Sequence, residues 1–204
     1  INLMPVLAKN RAKLVLKPGA RGLYLGQDIL SPLRQHGGIM FPIQPDVIYS
    51  QSVSYSAYDM AHTNYTYNAY RNTPSPDLQL TAQFASVTDD EARYTYAVLH
   101  FLRSVTKMFF GLGQQSPTAG TPPPVLEFSA FGDKQFSNIP VVVSTFSTTY
   151  DSNVDLKLFD GETQIPAMMT IFIQLSVQLN PDKQKRSFTT SNFINGSAYR
   201  QGFI

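Results

Sequence analysis

The residues best suited to catalysis or metal binding are the three histidines, His36, His62 and His100. Asp59 lies three residues before His62, and the two could act as an acid–base pair if the fold brought a nucleophile close to them. His100 lies at the margin of an apolar stripe, where a structural role is favoured because metal and triad sites need convergent partners. The histidines therefore predict neither a catalytic residue nor a metal ligand.

The acidic run Asp89-Asp90-Glu91 resembles a carboxylate metal site, but it follows Thr88 and so matches a helix-capping box. The chain lacks a Gly-rich phosphate loop, a His-Glu-x-x-His motif and a Gly-x-Ser-x-Gly elbow. It also contains no cysteine, which excludes disulfides, thiol catalysis and cysteine zinc sites. We therefore predict a protein that is not an enzyme and that uses no cofactor.

The most distinctive local composition is a stretch rich in tyrosine and asparagine. Six of the eleven tyrosines lie between Tyr49 and Tyr70, interleaved with Asn64, Asn68 and Asn72. Such side chains could bind sugar rings, stack single-stranded bases or form a subunit interface. A formal net charge of +2 is too small to indicate nucleic-acid binding. We favour a subunit interface, with a carbohydrate-binding β-sandwich that recognises a receptor as the alternative.

Charge is unevenly distributed along the chain. Residues 1–40 carry six basic groups and one acidic group, or +5, and the remainder carries ten basic and thirteen acidic groups, or −3. Glycines and prolines break up this first segment, so we predict a basic, extended N-terminal arm over 1–40, either solvated or touching an acidic neighbour. The absence of a run of about 18 apolar residues predicts no membrane-spanning helix and no membrane partner.

Most of residues 41–182 has strand periodicity, which predicts a mainly β domain with one helix, an α+β class. Apolar and Ser/Thr/Gln residues alternate over 47–57, 78–84 and 169–179. Further strands are expected over 125–131, 139–149 and 155–159, and strands 65–71 and 78–84 should pair antiparallel across the turn at 72–77. The helix is predicted over 88–110, with Gly111-Leu112-Gly113 as its stop.

These strands contain few lysines and prolines, the residues that would hinder their pairing with strands of other copies. We therefore expect copies of the chain to pair edge to edge, and a closed ring would remove the free edges altogether. Residues 183–204 are predicted to form a C-terminal tail with two aromatic anchors. The residues predicted to lie at the subunit interface are Val47, Tyr49, Val53, Tyr55, Tyr65, Tyr67, Phe188 and Phe193.

Several segments in the second half of the chain resemble one protein family. They are Pro122 to Phe128, Phe136 to Val143, Asn153-Val154-Asp155, Ile165-Pro166 and the closing Gly202-Phe203-Ile204. Their order and composition are similar to those of baseplate tail-tube proteins of contractile-tailed bacteriophages, most of all the tube-initiator and tube-cap types. The resemblance covers about residues 40 to 204.

This resemblance implies two packed antiparallel sheets flanked by an α-helix, a hexameric ring and a continuous inner β-barrel. It also implies a virion location in the tail baseplate after assembly in the host cytoplasm. The implied partners are the baseplate hub, the tail tube or tube-cap protein, and sheath or wedge proteins, with phage DNA passing through the lumen. The residues then expected to face the lumen are neutral: Ser50, Ser52, Ser54, Thr170, Gln174 and Gln178.

Overall fold

An antiparallel sheet of seven strands organises the protein, as seen in a computed structural model that describes residues 10–110 and 118–204. Its order is β2-β1-β7-β8-β11-β6-β3, and the pairs β4–β5 and β9–β10 form separate hairpins. The strands are β1 Lys13–Leu16, β2 Gly38–Met40, β3 Asp46–Ser50, β4 Ser54–Tyr58, β5 Tyr67–Asn72, β6 Asp77–Ala85, β7 Leu126–Ala130, β8 Phe136–Thr149, β9 Leu156–Leu158, β10 Gln164–Pro166 and β11 Met168–Val177.

Four α-helices and two 3₁₀ segments accompany the strands in the described residues, where the sequence predicted a single helix. They are α1 Pro18–Tyr24, α2 Asp89–Val105, α3 Pro181–Ser187 and α4 Thr190–Ile194, with 3₁₀ turns at Asp28–Leu33 and Ala198–Gln201. The prediction of a mainly β protein with antiparallel sheets and a flanking helix is confirmed. The finer prediction of two packed sheets differs from the structure, because β8 joins the strands into one sheet by pairing with β7 and β11. Within the described residues this sheet does not close on itself.

Helix α2 begins at the predicted capping box and lies against the apolar face of the sheet. The Glu91 N–H donates to the Thr88 hydroxyl, and the Glu91 carboxylate accepts from the Thr88 N–H. The helix ends at Val105, earlier than the predicted residue 110. The Thr106 hydroxyl donates back to the Leu102 and Arg103 carbonyl oxygens. These carbonyl groups of the last turn therefore have a hydrogen-bond donor where the helix ends. The predicted glycine stop lies outside the described residues.

The core follows the predicted period of two along the central strands. On β6 and β11 every second side chain is buried, and the residues between them are more exposed. The buried set comprises Leu78, Leu80, Ala82, Phe84, Met169, Ile171, Ile173, Leu175 and Val177. Helix α2 covers this face with Ala97, Val98, Phe101, Leu102 and Val105. The sheet therefore has one apolar, covered face and one polar face.

Residues 10–40 belong to the same core, which corrects the prediction of an extended arm. Strand β1 lies between β2 and β7, and Leu14, Leu16 and Ile39 are completely buried. Gly38 makes this possible, since a Cβ at that position would lie 2.4 Å from the Leu14 carbonyl oxygen. The glycines in this segment, from which we predicted irregular structure, allow β2 to approach β1 closely. Residues 1–9 of the predicted arm lie outside the described residues.

The predicted strand over 47–57 is divided into β3 and β4. Strand β3 pairs with β6 only as far as Ser50 opposite Asp77, because β6 begins there, directly after Pro76. The chain then leaves the sheet and forms the hairpin of β4 and β5. The predicted pairing of strands 65–71 and 78–84 is therefore wrong, since both sides of β6 are already occupied, by β11 and β3.

Candidate assembly surface

Strands β3, β6, β11 and β8 present an almost uncharged polar face on the side opposite α2. The backbone register aligns Ile48, Gln79, Gln174 and Thr145 in one row across the four strands. Neighbouring rows contribute Thr81, Gln83, Thr170, Ser147 and Thr149, together with the partly buried Phe172. The acidic residues of this face are Asp46 and Asp77, at either end of the β3 pairing. Hydroxyl and amide groups therefore dominate the surface.

Three of the six residues expected to face the lumen lie on this polar face. Thr170 and Gln174 are on β11, and Ser50 is on β3 opposite Asp77. The other three do not join them: Ser52 lies between strands, Ser54 belongs to the β4–β5 hairpin, and Gln178 follows the end of β11. The structure thus groups the β3 and β11 residues of the set and separates the rest.

The β2 edge of the sheet is closed by side chains of the same copy. The Tyr94 hydroxyl donates to the Met40 carbonyl oxygen at 2.7 Å and accepts from the Met40 N–H at 2.8 Å. Nearby, the Ala12 N–H donates to Gln44 Oε1 at 3.1 Å. At Met40 the backbone groups of this edge therefore already have hydrogen-bond partners and are not free to pair with a further strand.

Two other edges have no strand partner within the described residues. Strand β3 pairs with β6 on one side and with no strand on the other. Strand β8 pairs with β7 only up to Val141, and beyond that point β11 is its sole neighbour, through Thr149. The outer side of residues 142–149, which we call the β8 slot, has the length of a strand and pairs with no strand in the part of the chain that the structure describes.

The β8 slot was missed in the interpretation of the sequence, although one signal for it was present. The predicted strands 125–131 and 139–149 differ in length, and in the structure β7 has five residues where β8 has fourteen. A short strand beside a long one necessarily leaves part of the longer edge unpaired. That part begins at Val142, with Thr145, Ser147 and Thr149 on the polar face.

The β4–β5 hairpin carries five exposed tyrosines. Tyr65 is 87% exposed, and the side chains of Tyr55, Tyr58, Tyr67 and Tyr70 are also open to solvent. The predicted interface residues Tyr55, Tyr65 and Tyr67 therefore lie on one protruding element. Val53 lies in the connection that leads to it. Val47 and Tyr49 differ, because on β3 they share the face of Leu80 and Leu78. Val47 packs against the core, and Tyr49 on the same face remains 40% exposed.

Phe188 and Phe193 contribute to an aromatic cluster in the C-terminal segment. Their ring centroids are 5.3 Å apart, and that of Phe203 lies 5.7 Å from Phe188. Between this cluster and residues 73–76 lies an open groove of about 610 Å³, lined also by Tyr70 and Leu179. The predicted tail is thus folded, and one side of it forms a surface that could receive another chain.

The titration behaviour of the candidate groups reflects local packing. Burial raises the pKa of Tyr94 to about 12. Burial, and to a smaller degree the nearby Arg103, lowers the pKa of His100. The Asp59 carboxylate accepts a hydrogen bond from the Thr66 hydroxyl at 2.7 Å. Across residues 10–110 and 118–204 no three His, Asp or Glu side chains are placed to hold a metal ion.

No helix in the described part of the chain is both long enough and apolar enough to cross a membrane. The chain matches no protein-family model, and no curated protein sequence matches it.

Proposed function

We propose that this chain is a structural subunit of a phage baseplate, of the tail-tube initiator or tube-cap type. Its copies associate head to tail into a hexameric ring, which links the central hub to the tail tube and templates tube assembly. The hub, the tube or cap protein, and sheath or wedge proteins are its partners, and phage DNA passes through the ring. The resemblance described above supplies the family and the ring order of this proposal.

The observation that carries the proposal is the pair of unpaired edges on either side of the polar face. Strands β3, β6, β11 and β8 are successively antiparallel, so β3 and β8 run in opposite directions. In a head-to-tail ring every copy keeps the same orientation relative to the axis. Strand β3 of one copy would then enter the β8 slot of the next with antiparallel geometry, and the sheet would continue from copy to copy.

The two faces of the sheet support the same arrangement. Helix α2 covers the apolar face, which would lie on the outside of the ring, and the polar face would line the lumen. Its hydroxyl and amide groups form a neutral lining that attracts and repels a DNA backbone only weakly, while the carboxylates of Asp46 and Asp77 at the two ends of the β3 pairing would repel it. The rows containing Gln174 and Thr170 would contribute most of this neutral lining.

A disulfide experiment tests the edge pairing. The chain contains no cysteine, so only the introduced residues can form a disulfide. We choose Ile48→Cys in β3 with Thr145→Cys in the β8 slot. Within one copy these positions are three strand spacings apart, about 14 Å, which is too far for a disulfide because the two Cα atoms must lie within about 7 Å. Any bond between them therefore joins two copies.

Oxidation of the concentrated double variant should produce a covalent ladder that ends at a closed ring on a non-reducing gel. Ile48→Cys combined with Gln35→Cys, an exposed position in a turn, provides the control for random collisions. A ladder no stronger than that of the control would contradict the ring.

Carbohydrate binding is the second candidate, favoured by the exposed tyrosines of the hairpin. Tyr65 and Tyr67 stand clear of the sheet with asparagines nearby, a composition that suits sugar rings. A glycan array separates the two functions. Specific binding to one glycan that is lost in Tyr65→Ala and Tyr67→Ala would favour the carbohydrate-binding module over the ring subunit.

A further inference from the structure

The β4–β5 hairpin buries little of itself against its own chain. Most of its residues are exposed on both faces, with only Ser54, Ser56 and Ala69 half-buried. An isolated two-stranded hairpin is marginally stable in water, and this one exposes large side chains, among them Met60 and Tyr65 at its tip. Its composition and exposure indicate a surface that another protein covers.

The position of the hairpin in the chain restricts what can cover it. Only residues 51–53 separate the last residue of β3, Ser50, from the first residue of β4, Ser54. A strand from another copy that pairs with β3 therefore brings its own surface beside the hairpin. The hairpin residues 54–72 carry one acid, Asp59, and one base, Arg71, so their net charge is zero and a strongly charged partner is not favoured.

The reach of the hairpin matches the spacing of copies in the proposed ring. From Ser54 to Met60 the chain extends about 20 Å, at about 3.3 Å per residue. The groove beside the C-terminal aromatic cluster lies next to the ends of β6 and β11, because Pro76 and Leu179 line it. In the proposed ring, β3 of one copy lies beside β8 of the next, and that copy's β11 and β6 follow. The ends of β11 and β6 therefore lie two and three strand spacings from the first copy's β3, about 10 to 14 Å.

We propose that the hairpin tip of each copy occupies this groove in the next copy of the ring, with Met60 and Tyr65 against the partner's aromatic cluster. This inference rests on the proposed ring and names a second contact within it. The groove suits such an occupant because Pro74, Pro76, Phe188 and Phe193 contribute to its lining. The contact covers the exposed tip and joins neighbouring copies beyond their strand edges.

A mixing experiment tests the contact without ambiguity about which copy supplies each residue. One chain carries Asn64→Cys at the tip and another carries Gln184→Cys beside the groove, and the two are mixed and oxidised. The inference predicts a disulfide-linked dimer containing one chain of each kind. It also predicts that Tyr65→Ala in the first chain reduces the yield, whereas Ile29→Ala, at an exposed residue of the 3₁₀ turn Asp28–Leu33, leaves it unchanged.

The controls separate this inference from the ring itself. Asn64→Cys mixed with Glu162→Cys, an exposed position before β10, measures random collision. If the tip–groove disulfide is no more abundant than this control while the Ile48–Thr145 ladder forms, the hairpin contact is wrong and the ring stands. If neither forms, both proposals fail. A tip–groove disulfide without the ladder would support the hairpin contact and contradict pairing through the edges.

Discussion

Replacing Tyr94 with phenylalanine removes the two hydrogen bonds that close the β2 edge. In the folded protein the Tyr94 hydroxyl satisfies both the N–H and the carbonyl oxygen of Met40, at 2.8 and 2.7 Å. The variant keeps the ring but leaves these backbone groups without their partner. We expect the free energy of unfolding to fall by about 1–3 kcal/mol, the cost of leaving partly buried polar groups unsatisfied.

The pKa of Tyr94 adds a pH dependence to this prediction. Burial favours the neutral phenol and raises its pKa from 10.0 to about 12 in the folded state. The contribution of the neutral Tyr94 phenol to the free energy of unfolding is therefore fully present below pH 10. It is lost as the pH rises from about 10 to about 12. A pKa difference of two corresponds to at most about 2.7 kcal/mol. The wild-type protein should lose this contribution over that range, and Tyr94→Phe should not.

Urea unfolding at several pH values between 8 and 12 measures both effects. Tyr96→Phe is the matched control, because Tyr96 lies on the same helix and packs through its ring on Phe159, at 5.5 Å. The difference in unfolding free energy between wild type and Tyr94→Phe should shrink as the pH approaches 12. A difference that stays constant, or a Tyr94→Phe variant as stable as wild type at pH 8, would refute the role assigned to this hydroxyl.

Three further predictions concern a helix cap, two glycines and the polar face. Thr88→Ala removes one half of the capping box and should lower the unfolding free energy by about 1 kcal/mol, seen as a lower urea midpoint; an unchanged midpoint would contradict the cap. Gly38→Ala would place a Cβ 2.4 Å from a backbone oxygen and should lower the unfolding free energy by about 3 kcal/mol or more. Gly22→Ala, in open space within α1, should instead raise it by about 0.5–1 kcal/mol. Equal effects of the two variants on thermal unfolding would argue against the close approach of Gly38 to β1. If the polar face lines the lumen of the proposed ring, Gln174→Lys should leave assembly intact and slow DNA ejection from the particle, and unchanged ejection kinetics would count against a lumen position.

Features set by neighbouring residues were predictable from the sequence. The capping box at Thr88, the apolar stripe of α2 and the alternation along β11 all depend on contacts within one element. The central strands were placed to within a few residues for the same reason. A period of two or of 3.6 identifies an element and its buried face without knowledge of its neighbours.

Features set by distant partners were not predictable in the same way. Strand β3 ends at Ser50 because its partner β6 begins opposite, which no residue near Ser50 reveals. Residues 10–40 contain many chain breakers, yet β1 is held between two strands that are distant from it in sequence. The β8 slot likewise depends on where β7 stops. Register and strand order are decided by long-range pairing, so sequence periodicity leaves them open.

An electron-microscopy reconstruction of the assembled protein tests most directly whether copies pair through β3 and the β8 slot. The proposed arrangement predicts a closed hexameric ring in which the sheet is continuous across every junction, with antiparallel strands and the Gln174 row facing the lumen. A reconstruction in which copies meet through other surfaces, with β3 and residues 142–149 unpaired, would contradict it.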